Sequence, residues 1–79
     1  MENFGNLLRE IREKRGLSQA QLVKMIAKIG VIQDCKSDAI GRYERGDRLP
    51  GCYKLHDICV ALNVSADYLL GLSDKEDLK

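Results

Sequence analysis

The chain has 79 residues, 44% hydrophobic and 32% charged, with one proline and seven glycines, which fits one globular domain with a small core and excludes a disordered or low-complexity chain. Its apolar runs fall far short of the ~20 residues that a membrane-spanning helix needs. The net charge of +1 hides an asymmetry: residues 1 to 56 hold eleven Lys/Arg against seven Asp/Glu, whereas residues 57 to 79 hold two Lys against five, so the last stretch is expected to face away from any polyanion.

Met1-Glu2-Asn3-Phe4 shows no basic region followed by an apolar stretch, so no secretory leader is visible and the cytoplasm is the expected location. The first helix is expected over about Phe4 to Lys14, capped by Asn3. Phe4, Leu8 and Ile11 recur at helical spacing, with Leu7 beside them. Gly16 ends the segment in a left-handed conformation, and Leu17 returns to the core. The second helix has the sharpest start signal. Ser18-Gln19-Ala20-Gln21 is a capping box, in which the Ser18 hydroxyl accepts the amide proton of the third helical position and Gln21 reaches back. Leu22, Val23, Ile26 and Ile29 form its apolar stripe, and Gly30 is the expected stop.

Residues 31 to 36 read as a connector, with Val31 and Ile32 tucked under the neighbouring helices or forming a short extended segment. The third helix is expected from Ser37 or Asp38 to Arg45. Ser37 would cap it, Ile40 and Tyr43 would face inward, and Gly46 would close it. Gly41 is anomalous, because glycine inside a helix costs ~1 kcal/mol relative to alanine. Either another surface such as DNA approaches closely there, or a neighbouring helix does.

Leu49-Pro50-Gly51 reads as a turn. The fourth helix follows over about Tyr53 to Leu62, with Leu55, Ile58, Cys59 and Leu62 on one face and Asn63 in its C-terminal turn. The fifth starts at the cap Ser65, carries Tyr68, Leu69 and at its edge Leu70, and ends at Gly71. Residues 1–72 are thus expected to form the domain, and residues 73–79 a short polar tail. No strand is expected.

The three cysteines, Cys35, Cys52 and Cys59, are an odd count without a leader, which points to reduced thiols. Cys52, His56 and Cys59 fall near one helical face, and Cys35 could add a fourth ligand. The spacing matches none of the paired-ligand patterns of structural zinc, so no metal and no cofactor are expected. Cys59, on an apolar stripe, reads as a small buried thiol. His56 reads as a surface or boundary residue rather than a pH switch.

The third helix carries a polar outer face of Ser37, Asp38, Gly41, Arg42 and Arg45. A helix fits the major groove of DNA, which is ~12 Å wide. Ser18 and Gln19 open the preceding helix, whose amide groups carry a partial positive charge suited to a phosphate. On these residues the chain resembles the phage repressor/Cro-type helix-turn-helix family. The matching positions are Phe4-Gly5, Leu8, Ile11-Arg12, Gly16-Leu17-Ser18-Gln19, Leu22, Ile40, Tyr43-Glu44-Arg45-Gly46, Pro50, Leu55, Ile58, Leu62, Val64-Ser65 and Tyr68-Leu69-Leu70-Gly71. They cover nearly the whole chain, and the ordered set is highly specific.

The resemblance implies an all-α, compact five-helix, lambda-repressor-like DNA-binding fold. It implies that Gln19 bonds a phosphate and that Ser37, Asp38 and Arg42 face base edges. Arg45, and Arg48 in the following loop, would contact the DNA backbone. Arg12 and Glu44 match positions that form a partly buried ion pair joining the first and third helices. The chain departs from the compact family form in the stretch from Ser18 to Tyr43, which is several residues longer. It resembles a subset with a longer second helix and a short apolar connector. Lys36 accordingly touches bases, phosphate or only solvent.

Each residue has a plainer alternative. Arg42 could donate two bonds to guanine, worth ~1–3 kcal/mol of discrimination, or could be a phosphate contact or a solvated charge. Asp38 could accept from cytosine N4, or be an ordinary first-turn acid. Arg45 and Arg48 grip phosphate or sit in a solvated loop. Tyr53 contacts phosphate or is partly buried. Leu69, Leu70 and Leu72 exceed what one small core needs. They would form a homodimer contact that sets two reading helices one DNA turn, ~34 Å, apart on a near-palindromic site, or would complete the monomer core.

The leading reading is a sequence-specific transcriptional regulator of double-stranded DNA, most simply a repressor that occupies its operator. The second is an antitoxin-type interaction module that also binds DNA, which the short tail disfavours. An enzyme is not expected: the sequence offers no nucleophile-base pair, no paired carboxylates in an apolar pocket and no glycine-rich phosphate loop.

Overall fold

The computed structural model describes residues 4–29 and 38–72. They form five helices, α1 (Phe4–Lys14), α2 (Gln19–Ile29), α3 (Ala39–Arg45), α4 (Cys52–Leu62) and α5 (Ala66–Leu69), with no strand among the described residues. The expected all-α architecture of five helices is the one observed. The connector over residues 31 to 36, the caps Asn3 and Ser37, the stop at Gly30, Cys35 and the tail lie outside the described residues.

Helical spacing puts Phe4, Leu8 and Ile11 on one face of α1, where all three are buried. Leu22 and Ile26 face them from α2, Ile40 and Tyr43 from α3, and Ile58, Cys59 and Leu62 from α4; Val64 and Leu69 complete the cluster. Each full burial of such an aliphatic side chain contributes ~1.5–3 kcal/mol. Val23 and Leu55, expected in the buried stripes, are only half-buried and pack around the cluster's edge. Ile29 is also half-buried. α1 packs on α3 and α5, α2 on α3 and α4, and α4 on α5. No helix among the described residues is long and apolar enough to cross a membrane.

The caps explain where the helices begin and end. Both arms of the capping box are made: the Gln21 amide donates to Ser18 Oγ at 3.1 Å, and the Ser18 amide donates to Gln21 Oε1 at 2.8 Å. α3 ends at Gly46 (φ 80°), whose left-handed backbone lets the Asp47 amide reach back to the Arg42 carbonyl at 3.0 Å. α4 ends the same way at Asn63 (φ 54°), with the Val64 amide on the Cys59 carbonyl. Arg15 reinforces that end, since its Nε donates to the Leu62 carbonyl at 2.8 Å. Ser65 caps α5, accepting the Tyr68 amide at 3.1 Å.

Two starts differ from expectation. α3 begins at Ala39, with Asp38 at the cap position in a helical conformation and its side chain making no cap bond. Its carboxylate is engaged elsewhere, by Arg42. α4 begins at Cys52 rather than Tyr53, because Gly51 takes the cap position in extended conformation. Glycine offers no side-chain signal for a cap to be read from sequence.

Candidate nucleic-acid interface

The site begins with the joint between α1 and α3. At Gly5 the two helices approach so closely that a Cβ would lie 2.6 Å from the Tyr43 carbonyl oxygen and 2.8 Å from the Glu44 carbonyl carbon. Gly5 matches the family pattern, which assigns it no role of its own. It is in the first turn of α1, where a glycine gives no local sign of so close an approach.

Beside this joint, Arg12 Nε donates to Glu44 Oε2 at 2.6 Å and Arg12 Nη2 to Glu44 Oε1 at 3.2 Å. Arg12 Nη1 donates to the Leu17 carbonyl at 2.7 Å. The hydrogen bond to Glu44 raises the Arg12 pKa against the opposing effect of burial, and the Glu44 and Glu13 charges add to the rise. Glu44 Oε1 also accepts from Gln19 Nε2 at 3.1 Å. One carboxylate on α3 thus binds α1 and the first residue of α2. No buried side-chain polar atom among the described residues lacks a partner.

The outer face of α3 carries two local ion pairs. Arg42 Nε donates to Asp38 Oδ2 at 3.0 Å, one helical turn back. Arg45 Nε donates to Asp47 Oδ2 at 3.0 Å. All four side chains are at least half exposed. Both bonds use Nε, and a guanidinium is a fork with five donor hydrogens. Gly41 lies between them and is buried. α2 approaches it through the end of the Gln19 side chain.

Arg48 is exposed in the loop that follows. An open groove runs from α3 to the first turn of α4, lined by Asp38, Arg42, Arg48, Tyr53, Lys54 and His56. Tyr53 is 76% exposed at its rim, so the partly buried reading does not hold. His56 Nδ1 lies 3.1 Å from Asp57 Oδ1, and Asp57 is buried while His56 is exposed.

The structure brings the Gln19 and Arg45 side chains together at Gly41, pairs Asp38 with Arg42, and lines one groove with Asp38, Arg42, Arg48 and Tyr53. Ser18 is at the start of α2 and engaged in its cap. Lys36 and Ser37 lie outside the described residues. The partners of Gln19 and Arg45 were not read from sequence. Asp47 lies only two residues from Arg45, but the Gln19–Glu44 bond joins residues 25 apart in the chain.

Cys59 lies in the core and Cys52 is exposed. Burial pushes the Cys59 thiol pKa up. Among the described residues no group of His, Cys, Asp or Glu is arranged to hold a metal ion.

A family model described as a helix-turn-helix domain matches residues 3–70. No curated protein matches the chain.

Proposed function

The chain belongs to the helix-turn-helix domain family, which implies a DNA partner and a regulator's role, and on that premise we propose that α3 enters the major groove of double-stranded DNA and reads its sequence. The observation that supports this most is the outer face of α3. It offers Asp38 and Arg42 as a donor–acceptor set, on a helix fastened to α1 and α2 by the Arg12–Glu44–Gln19 network.

Arg42 would donate to guanine O6 and N7, and Asp38 would accept from cytosine N4. Lys36 and Ser37 immediately precede Asp38 in the chain; Ser37 would be a further base reader, and Lys36 would touch bases or phosphate. Gln19, Arg45 and Arg48 would contact phosphates, with Ser18 holding the start of α2 in place and Tyr53 contributing its hydroxyl from the groove's far rim. Phosphate contacts fix register, and base contacts carry sequence information.

The regulator would act in the cytoplasm as a repressor, by occupying its operator. A homodimer would place two copies of α3 on adjacent half-sites. Leu69 is fully buried in the monomer core, so that contact would rest on Leu72, which is 76% exposed, and on half-buried Leu70.

Titration of a fluorescent duplex at several salt concentrations tests this function. Affinity should fall as salt rises, with a slope that shallows by about one when Arg45 or Arg48 is replaced by alanine. A chain that binds no duplex at low salt would refute the proposal.

A further inference from the structure

Gly41 sits inside a seven-residue helix, where alanine would favour the helical backbone. Its bare backbone is not required by the core. A Cβ there would lie 3.2 Å from Arg45 Nη1, 3.3 Å from Gln19 Oε1 and 3.7 Å from Gln19 Nε2. All three atoms are the tips of long side chains, and both residues are exposed. The contrast with Gly5 is informative, since there the obstructing atoms are backbone.

Each tip is tethered on its other side. Gln19 Nε2 donates to Glu44 Oε1 at 3.1 Å, and Arg45 Nε donates to Asp47 Oδ2 at 3.0 Å. Two anchored side chains from different helices thus converge over one bare stretch of α3. An amide nitrogen carries two hydrogens, so one stays with Gln19 Nε2 for an incoming acceptor. The Nη groups of Arg45 supply charged donors beside it.

We infer that Gly41 is a positioning residue: its missing side chain seats the Gln19 amide and the Arg45 guanidinium together as one grip for a DNA backbone phosphate. The inference rests on the proposed DNA-binding function and names what holds part of that site in shape. A methyl group at Gly41 would push both tips outward by a few tenths of an ångström. Flexible side-chain ends yield to that at little cost to the fold, while the alanine strengthens α3. Stability and affinity should therefore move in opposite directions.

The test compares Gly41→Ala, Gln19→Ala and the double variant in urea unfolding and in titration of a mixed-sequence DNA duplex. Gly41→Ala should raise the unfolding midpoint and weaken duplex binding roughly tenfold, the scale of one lost charge-assisted hydrogen bond. In the Gln19→Ala background, the same change should alter binding less than about twofold, because residues sharing one contact are not additive. Gly41→Ala binding as tightly as the unaltered chain, or weakening it equally in both backgrounds, would overturn the inference alone. A lowered unfolding midpoint would also overturn it, by making Gly41 a packing requirement. Absence of duplex binding by the unaltered chain would remove the functional proposal and the inference with it.

Discussion

Arg12 and Glu44 meet at 2.6 Å with only 11% and 4% of their side chains exposed, and through this pair α1 holds α3 in place. An ion pair taken out of water is a weak source of net stability, but removing one partner strands the other charge. Glu44→Ala should therefore destabilise the fold by ~3–5 kcal/mol in urea unfolding. Replacing both partners together, as Arg12→Met with Glu44→Leu, should recover most of that loss. The double variant should still bind DNA less well, because Gln19 loses its anchor on Glu44.

Gly5→Ala should lower the unfolding temperature, although alanine is the better helix former by ~1 kcal/mol. The added methyl would meet the backbone of Tyr43 and Glu44. Overpacking against atoms that cannot rotate away costs ~1–3 kcal/mol or more. Thermal unfolding of Gly5→Ala beside Gly41→Ala should give shifts of opposite sign.

Arg42 and Asp38 should separate affinity from discrimination. Their ion pair is 50% and 56% exposed, and such helical pairs contribute only ~0.3–0.5 kcal/mol, so neither substitution should move the unfolding midpoint much. Arg42→Ala should reduce the preference for a selected site over mixed-sequence DNA by ~1–3 kcal/mol. Asp38→Asn should strengthen binding to mixed-sequence DNA, because it would remove a negative charge that the proposed docking brings near the phosphates, and should lower the ratio of specific to non-specific binding. Competition titrations at fixed salt measure both.

Much of this was legible in the chain. Ser18 with Gln21, Gly46 and Ser65 marked helix ends because their signals are local: a side chain or a backbone conformation acts within one turn. Phe4, Leu8, Leu22, Ile40 and Ile58 were legible because helical spacing alone puts them on one face. The start of α3 was harder, since Asp38 can cap the helix or bond Arg42, and the structure shows the second. Contacts between distant segments were the least legible. Nothing in the sequence around Arg15 points to the Leu62 carbonyl, and the role of Gly5 emerges only once α1 lies against α3.

Cys59 gives a pH-dependent prediction. Burial disfavours its thiolate, so its pKa is raised in the folded state. The unfolded chain then loses this proton first as the pH rises. The contribution of Cys59 to stability is complete below the ordinary thiol value and is lost progressively as the pH climbs through the raised folded value. Alkylation with iodoacetamide followed by peptide mapping should modify exposed Cys52 in the native protein, and Cys59 only under unfolding conditions. Equal rates at the two residues would show that the core opens far more readily than its packing implies.

The most direct measurement of the central claim is selection of bound duplexes from a random pool, sequenced for the unaltered chain and for Arg42→Ala. The unaltered chain should yield one short motif, and Arg42→Ala the same motif with preference relaxed at one G·C position. Recovery of no motif, or of an identical motif at equal stringency from both proteins, would contradict a reading helix centred on Arg42.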